Sequence, residues 1–429
     1  MARKMRDSGV EWIGDVPEGW KVNRLQWHLE EIVEKNDPIQ TTNILSLTND
    51  RGVIPYEDKG NVGNKAKENY AEYKLAYKNT IVANSMNVLI GSVGLSKYDG
   101  CVSPVYYIYK SKGSNSIRYY NYLFQLTPFQ KELRRYANGI LEIRLRVSSS
   151  DILKRSVPAP SFSEQRRIAD YLDEKCAAID GAVDELKRGI EDCKAWKKVI
   201  ITEATSFGLD DDVKLLQTEL GWISNRPSYW KRNQLSSLCR RGITYGIVKL
   251  GEPCENGVKV LRCSDVKDGY LDASNVRTVT PELSDEYKRT VLSGGEVIVN
   301  VRGTLGGCAI VPKEFSGANI AREVALLDVE ESKANPKFIM YTLLSSCFAS
   351  YVGHEMAGAI YQGLNIATLS KYSFYAPDIK EQQAIADYLA EKCAAIDALV
   401  AEKEKLIADL EAYKKSLIFE LVTGKKEVK

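Results

Sequence analysis

"EQRRIADYLDEKCAAID", Glu164–Asp180, and "EQQAIADYLAEKCAAID", Glu381–Asp397, share fourteen of seventeen positions at an offset of 217 residues. So long an offset excludes a short-period solenoid and points to a duplicated unit of domain size. Apolar residues advance by fours and threes through the first copy: Ile168, Leu172, Cys176, Ile179, Val183, Leu186, Ile190 and Cys193. The second copy repeats the seam with Ile385, Leu389, Cys393, Ile396, Val400, Ile407, Leu410 and Leu417, interrupted by Lys403. A 3.5-residue spacing of this kind marks helices paired along their length. A lone exposed helix of about 40 residues, roughly 60 Å long, has little to support it. Each copy is therefore expected to pair antiparallel with the other and to hold the globular parts apart as a spacer.

Other landmarks recur in the same order. "SVPAPSFSEQ" (Ser156–Gln165) answers "SFYAPDIKEQ" (Ser373–Gln382), with Ser163 and Asp378 as candidate N-caps. "VEWIGDVPEGWKVNRL" (Val10–Leu25) answers "LGWISNRPSYWKRNQL" (Leu220–Leu235) at an offset of 210. The chain reads as a pseudo-two-fold tandem duplication of the α+β class. Between the landmarks the halves diverge in identity but not in pattern. "NTIVANSMNVLIGSVGLSKYDGCVSPVYYIY" (Asn79–Tyr109) and "GEVIVNVRGTLGGCAIVPKEFSGANIAREVALLDV" (Gly295–Val329) each give a strand, a glycine turn, a second strand and a third. A frame copied while its inserts diverge suggests two similar readers of different things.

Composition narrows the class. At 429 residues, 44% hydrophobic and 27% charged, the chain is long enough for two or three ordinary globular domains. A net charge of +2 means that a nucleic-acid binder must concentrate its basic residues locally. The nine cysteines form no CxxC pair and read as buried thiols of a reducing cytoplasm. His28 and His354 stand alone, which argues against a zinc site. The opening "MARKMRDSGVEWIG" lacks the apolar run of a signal peptide, and no segment suggests a membrane span.

The ordered phrases "EWIGDVPEGW", "PAPSFSEQRRIADYLDEKCAAID" and "APDIKEQQAIADYLAEKCAAID", with "YGIVKLGEP", "VRGTLGG" and "GANIAREVALL", resemble the specificity (S) subunit of type I restriction-modification systems. In that family two target-recognition domains alternate with two conserved helical regions. The resemblance implies an N-terminal segment 1–25, a first recognition domain 26–160, a central helix 161–208, and a linker 209–235 repeating the N-terminal segment. A second recognition domain 236–377 and a C-terminal helix 378–429 would follow. It further implies that each domain reads one half of a split site in double-stranded DNA, that the helices fix the spacer, and that two methyltransferase (M) subunits dock, with restriction (R) subunits joining. S-adenosylmethionine, ATP and Mg would sit on those partners, with no cofactor bound here.

Base reading needs forked donors, Arg for guanine and Asn or Gln for adenine, and phosphate binding needs cations and glycine-loop amides. In the first domain these requirements select Asn84, Ser85, Asn87 and Lys97 in a polar loop, and Arg144 and Arg146 in "EIRLRVSSSD". In the second they select Arg240, Arg241, Tyr245 and Lys249 in "CRRGITYGIVKLG", then Arg302, Arg322, Tyr361 and Gln362. Surface salt bridging is the competing use of the arginine pairs. Partner binding falls to the frame: Tyr171 and Tyr388 in identical "IADYL" contexts, and Tyr413 and Leu417 in the apolar C-terminal stretch.

Catalytic machinery is missing from the motifs. "GSVG" and "GTLGG" do not make a cofactor-binding GxGxxG, no Asn/Asp-Pro-Pro-aromatic tetrapeptide occurs, and "PELSDEYK" is too short a carboxylate–lysine cue for a nuclease. The chain is expected to be non-catalytic. The rival readings are a scaffold with a helical frame and domains binding peptide or carbohydrate, and a DNA-binding enzyme fused from two halves.

Overall fold

Both copies of the repeat fold as helix throughout. The computed structural model describes residues 3–48, 51–60, 69–139, 145–303, 305–356 and 363–428. The first long helix is Phe162–Phe207 and the second is Ile379–Val422. Asp378 Oδ1 accepts from the Glu381 amide at 3.0 Å, as an N-cap should. In the first copy the cap is Ser161, whose Oγ accepts from the Glu164 amide at 3.3 Å. Ser163 lies inside the first turn, and Ser161 is the true counterpart of Asp378 at the 217-residue offset.

The chain divides into two compact units, one of Met1–Leu186 with Lys405–Lys429 and one of Lys187–Glu404. Both long helices contribute to both units. In the first unit Trp20 fixes the pairing. Its indole Nε1 donates to Glu164 Oε2 at 2.9 Å, at the start of the first long helix. A Cβ at Gly424, just past the end of the second long helix, would come within 3.1 Å of the same ring and 2.5 Å of Pro17. Gly424 also has φ +78°, so glycine is required twice over. Farther along, Lys414 meets Asp180 at 2.6 Å, and the segments therefore run antiparallel.

The second unit repeats these joints. Trp230 Nε1 donates to Glu381 Oε1 at 3.2 Å, a Cβ at Gly208 (φ +85°) would lie 3.5 Å from the Trp230 ring, and Lys197 meets Asp397 at 2.7 Å. Trp20 and Trp230 are both buried. Burying an indole contributes about 4–6 kcal/mol as an upper estimate, enough to anchor a helix end.

Each unit carries a four-stranded antiparallel sheet of the same order. In the first it runs Leu29–Ile32, Tyr106–Ser111, Ile81–Asn84, Val93–Leu95. In the second it runs Thr244–Tyr245, Val324–Leu327, Val297–Asn300, Cys308–Ile310. Lys21–Arg24 pairs with Ser156–Ala159 and Lys231–Gln234 with Ser373–Ala376, so each landmark phrase closes against the strand that leads into a long helix. The core of the first unit centres on Tyr109, Tyr119, Phe124 and Phe129, and that of the second on Phe338, Phe348, Tyr372 and Phe374.

The helical seam is most buried toward the two ends of each long helix and thins in the middle. Ile168, Leu172 and Cys176, like Ile385, Leu389 and Cys393, are buried where domain side chains also cover them. Leu186, Cys193, Ile407 and Leu410 are only half-buried. Lys403 is accommodated by Gly189, where a Cβ would lie 3.2 Å from its Nζ. The small residue leaves room for the end of the lysine side chain.

Candidate nucleic-acid and partner interfaces

In the second unit, two close backbone approaches gather the exposed polar side chains. Gly246 follows the edge strand Thr244–Tyr245, and a Cβ there would overlap the Ile320 carbonyl. The approach lets the Ile247 amide donate to Ile320 O at 2.8 Å and the Arg322 amide to Ile247 O at 2.9 Å. On the other side, Val301 N–H donates to Glu323 O at 2.8 Å and Arg302 N–H to the same oxygen at 3.3 Å. Tyr245, Arg302 and Arg322, all exposed, are thereby brought to one end of the sheet. Lys249, also exposed, follows in the same loop.

Arg240 and Arg241 lie elsewhere. They pair with Asp328 at 3.7 and 3.1 Å, beyond the far end of strand Val324–Leu327, about 13 Å from the Arg322 end at the usual strand rise. Tyr361 and Gln362 fall outside the described residues, as does Arg144.

The turn carrying Arg302 is held by Asn300, which the sequence reading passed over. Its Nδ2 donates to Cys263 O at 3.0 Å and Val266 O at 3.1 Å, and its amide to Gly307 O at 2.7 Å. A Cβ at Gly307 would lie 2.5 Å from that Nδ2. Asn84 occupies the same position in the first unit, at the end of strand Ile81–Asn84, and its Oδ1 accepts from the Met86 amide at 3.0 Å. The shared "IVAN" and "VIVN" endings were the available signal.

Around Asn84 the structure assembles exposed Asn87 and Arg146, whose Nη2 lies 3.8 Å from Met86 Sδ. Ser85 is a correction: it is 4% exposed, with its carbonyl accepting from the Val147 amide, so its side chain is not offered at the surface. Lys97 is exposed but lies beyond the other end of strand Val93–Leu95.

A cleft of about 1510 Å³ in the second unit separates the 263–270 and 300–307 loops from both long helices. Lys194, Lys197, Lys198 and Lys267 line it, but so do Glu191, Asp268, Asp397 and Glu404. Its charge cancels and does not select a polyanion. Among the described residues no cluster of His, Cys, Asp or Glu is placed to hold a metal. Among the described residues no helix is long and apolar enough to cross a membrane.

The frame exposes a second kind of surface. The Lys175 ammonium lies 5.5 Å from the Tyr171 ring centre, and that of Lys392 lies 5.6 Å from Tyr388. Glu174 chiefly raises the Lys175 pKa, by its hydrogen bond and its charge, with smaller contributions from Tyr171 and Tyr413. Tyr388 and Tyr413 are exposed, whereas Tyr171 leans half-buried on the core. Leu417 is the other correction: at 1% exposure it packs with Ile418 and Leu421 in the first unit's core, because the helix end must seal against Trp20. Trp196, the counterpart of Tyr413 at the 217-residue offset, is exposed and was missed. "AWKKVI" (Ala195–Ile200) against "AYKKSL" (Ala412–Leu417) could have revealed it.

A family model described as "Type I restriction modification DNA specificity domain" matches residues 17–184 and 227–408. Two matches in tandem cover most of the chain and fall on its two repeats. The chain belongs to this family. Among relatives of the specificity-subunit family, the type I restriction enzyme EcoBI specificity subunit of Escherichia coli is 25% identical over 259 residues, 59% of this chain and 54% of that protein. The MjaVIII specificity subunit of Methanocaldococcus jannaschii is 24% identical over 64% of this chain and 62% of that protein. The chain thus spans less than two thirds of the length of these two relatives. The putative MjaX specificity subunit of the same archaeon is 23% identical over 97% of this chain and 96% of that protein.

Solved structures agree on the fold. A chain from a structure of type I R-M complex assembly and conformational transition superposes with TM-score 0.72 at 16% identity, covering 96% of this chain and 99% of that one. The HsdS subunit from Thermoanaerobacter tengcongensis gives TM-score 0.50 at 16% identity, covering 96% and 98%.

Proposed function

We propose that this chain is the DNA-specificity subunit of a type I restriction-modification complex, in which each unit reads one half of a bipartite target in double-stranded DNA. One observation carries the reading. Corresponding hairpins, built on Asn84 and Asn300, present different polar side chains: Asn87 and Arg146 in one unit, Arg302 beside Arg322 and Tyr245 in the other. Sequence-specific contact requires such variation, because each base pair needs its own donor–acceptor partner.

The same reading makes the chain non-catalytic, acting in the cytoplasm with two methyltransferase subunits on its helices and restriction subunits joining them. S-adenosylmethionine, ATP and Mg then belong to the partners, and the helices set the spacer between half-sites. The test is DNA binding by the chain with its methyltransferase partner across a salt series, with methylome sequencing of a host expressing both. A bipartite methylated motif and a steep fall of affinity with salt are expected. Absent or salt-insensitive DNA binding sinks the proposal.

A further inference from the structure

The hairpins built on Asn84 and Asn300 each close with a turn, and the two turns treat one apolar residue in opposite ways. Ile90 lies three residues before Val93 and Leu305 three before Cys308, and Val93 and Cys308 hold the same register on their sheets. Leu305 is half-buried and packs against the core of the second unit. Ile90 is 67% exposed. The turn that carries it is tightly closed. Asn87 O accepts from the Ile90 and Ser92 amides, each at 3.0 Å, and Gly91, at φ +86°, donates to Val88 O at 3.2 Å. Val88 is buried, Leu89 is half-buried, and a Cβ at Gly91 would come within 3.0 Å of Gln130 Nε2. The turn sinks two of its apolar residues and presents the third.

Val88–Ile90 is a single 3-10 turn led by Asn87. Residues three apart on such a turn stand on one face, so Ile90 is presented beside exposed Asn87. Arg146 meets the same turn at Met86 Sδ. A major groove offers donors and acceptors to Asn and Arg, and to a hydrocarbon it offers the thymine 5-methyl group. Resting on the half-site reading above, we infer that Ile90 is a specificity-determining residue that reads a thymine methyl in the half-site of the first unit. In the second unit Leu305 is spent on the core, so the contact belongs to one half-site only.

The experiment measures binding of the full chain, with its methyltransferase subunit, to duplexes carrying the motif found by methylome sequencing. Each thymine is replaced in turn by deoxyuridine, which lacks only the methyl. Replacement at one thymine, in one half-site, should weaken binding about fourfold. Ile90→Ala should lose about as much on the thymine duplex and nothing further on the deoxyuridine duplex, with the salt slope unchanged because no phosphate contact is lost. Ile90→Val, which keeps a branched apolar tip, should retain the sensitivity to deoxyuridine. Circular dichroism with a thermal melt confirms that both variants are folded. No thymine sensitive to replacement, or equal sensitivity in the wild type and Ile90→Ala, overturns this inference and leaves the half-site reading standing. Weaker methyltransferase association in Ile90→Ala, with DNA affinity and motif unchanged, assigns the side chain to a protein contact and overturns the inference as well. Absence of sequence-specific DNA binding by the wild-type complex overturns the half-site reading and this inference together.

Discussion

Lys414 Nζ donates to both carboxylate oxygens of Asp180, at 2.6 and 2.7 Å, and Lys197 does the same to Asp397 at 2.7 Å each. Lys414 is the counterpart of Lys197 and Asp397 that of Asp180, each 217 residues apart. The two bridges are one interaction written twice. Their aspartates are more than half exposed, so each bridge stabilises by about 1 kcal/mol or less, and its use is to set register. Lys414→Ala should therefore cost under about 1 kcal/mol in a urea titration. Lys414→Asp should cost more, by placing two carboxylates together, and adding Asp180→Lys should recover most of the loss. A double variant no better than the single one excludes a direct pairing.

Gln165 and Gln382 tie each domain to its long helix. Gln382 Oε1 accepts from the Asn335 amide at 2.9 Å and its Nε2 donates to Pro377 O at 2.9 Å. Gln165 makes the same bonds to the Ser116 amide at 2.8 Å and Pro160 O at 3.0 Å. Both side chains are buried, so Gln382→Leu strands two backbone groups away from water. The expected loss is about 3 kcal/mol, read as a lowered urea midpoint of the second unit's unfolding. Gln382→Glu, which keeps the acceptor but not the donor, should fall between.

Gly307 lets the Arg302 turn close over Asn300. Gly307→Ala should displace that turn by driving a methyl into Asn300 Nδ2 and Val266 O. In methylome sequencing the half-site read by the second unit should relax while the other half is unchanged. Arg322→Ala separates the two kinds of contact. A phosphate contact lowers the salt slope by about one without changing the motif, whereas a base contact costs about 1–3 kcal/mol at one position.

Near-identical phrases recurring in the same order were enough to show the duplication and the antiparallel long helices, but not that the landmark phrases pair as strands. Burial within the frame was harder to read. Leu417 looked like surplus apolar surface because the core that buries it includes residues such as Trp20, some 400 residues earlier in the chain. Ser85 looked like a loop hydroxyl, yet the strand's end turns it inward. Arg240 and Arg241 drew notice as a charge pair, and Asp328 absorbs them. Asn300 and Trp196 were visible only by aligning the weaker parts of the repeat, where identity fails and backbone geometry persists.

His28 gives the first unit a sensitivity to mild acid. It is buried, stacked on Tyr120 with ring centres 5.2 Å apart, and its Nδ1 lies 2.8 Å from Asn115 Oδ1. The Asn115 oxygen accepts only, so Nδ1 carries the proton of the neutral ring and Nε2 is bare. Nε2 is buried with no partner among the described residues, so a second proton would sit there without an acceptor. Burial accordingly lowers the pKa below 6.5, outweighing the Asn115 bond, which raises it. The unfolded chain, with its ordinary histidine, then binds the proton first as pH falls below about 6.5. Stability should be level above that pH and decline as pH falls below it, through the first unit alone. His28→Gln keeps a neutral donor for Asn115 and removes the titration. Amide hydrogen exchange in Leu29–Ile32 and Ile117–Phe124 should quicken relative to the second unit in the wild type at pH 5.5, after correction for intrinsic rates, and not in the variant. Equal acid responses of the two proteins would assign the loss to other groups.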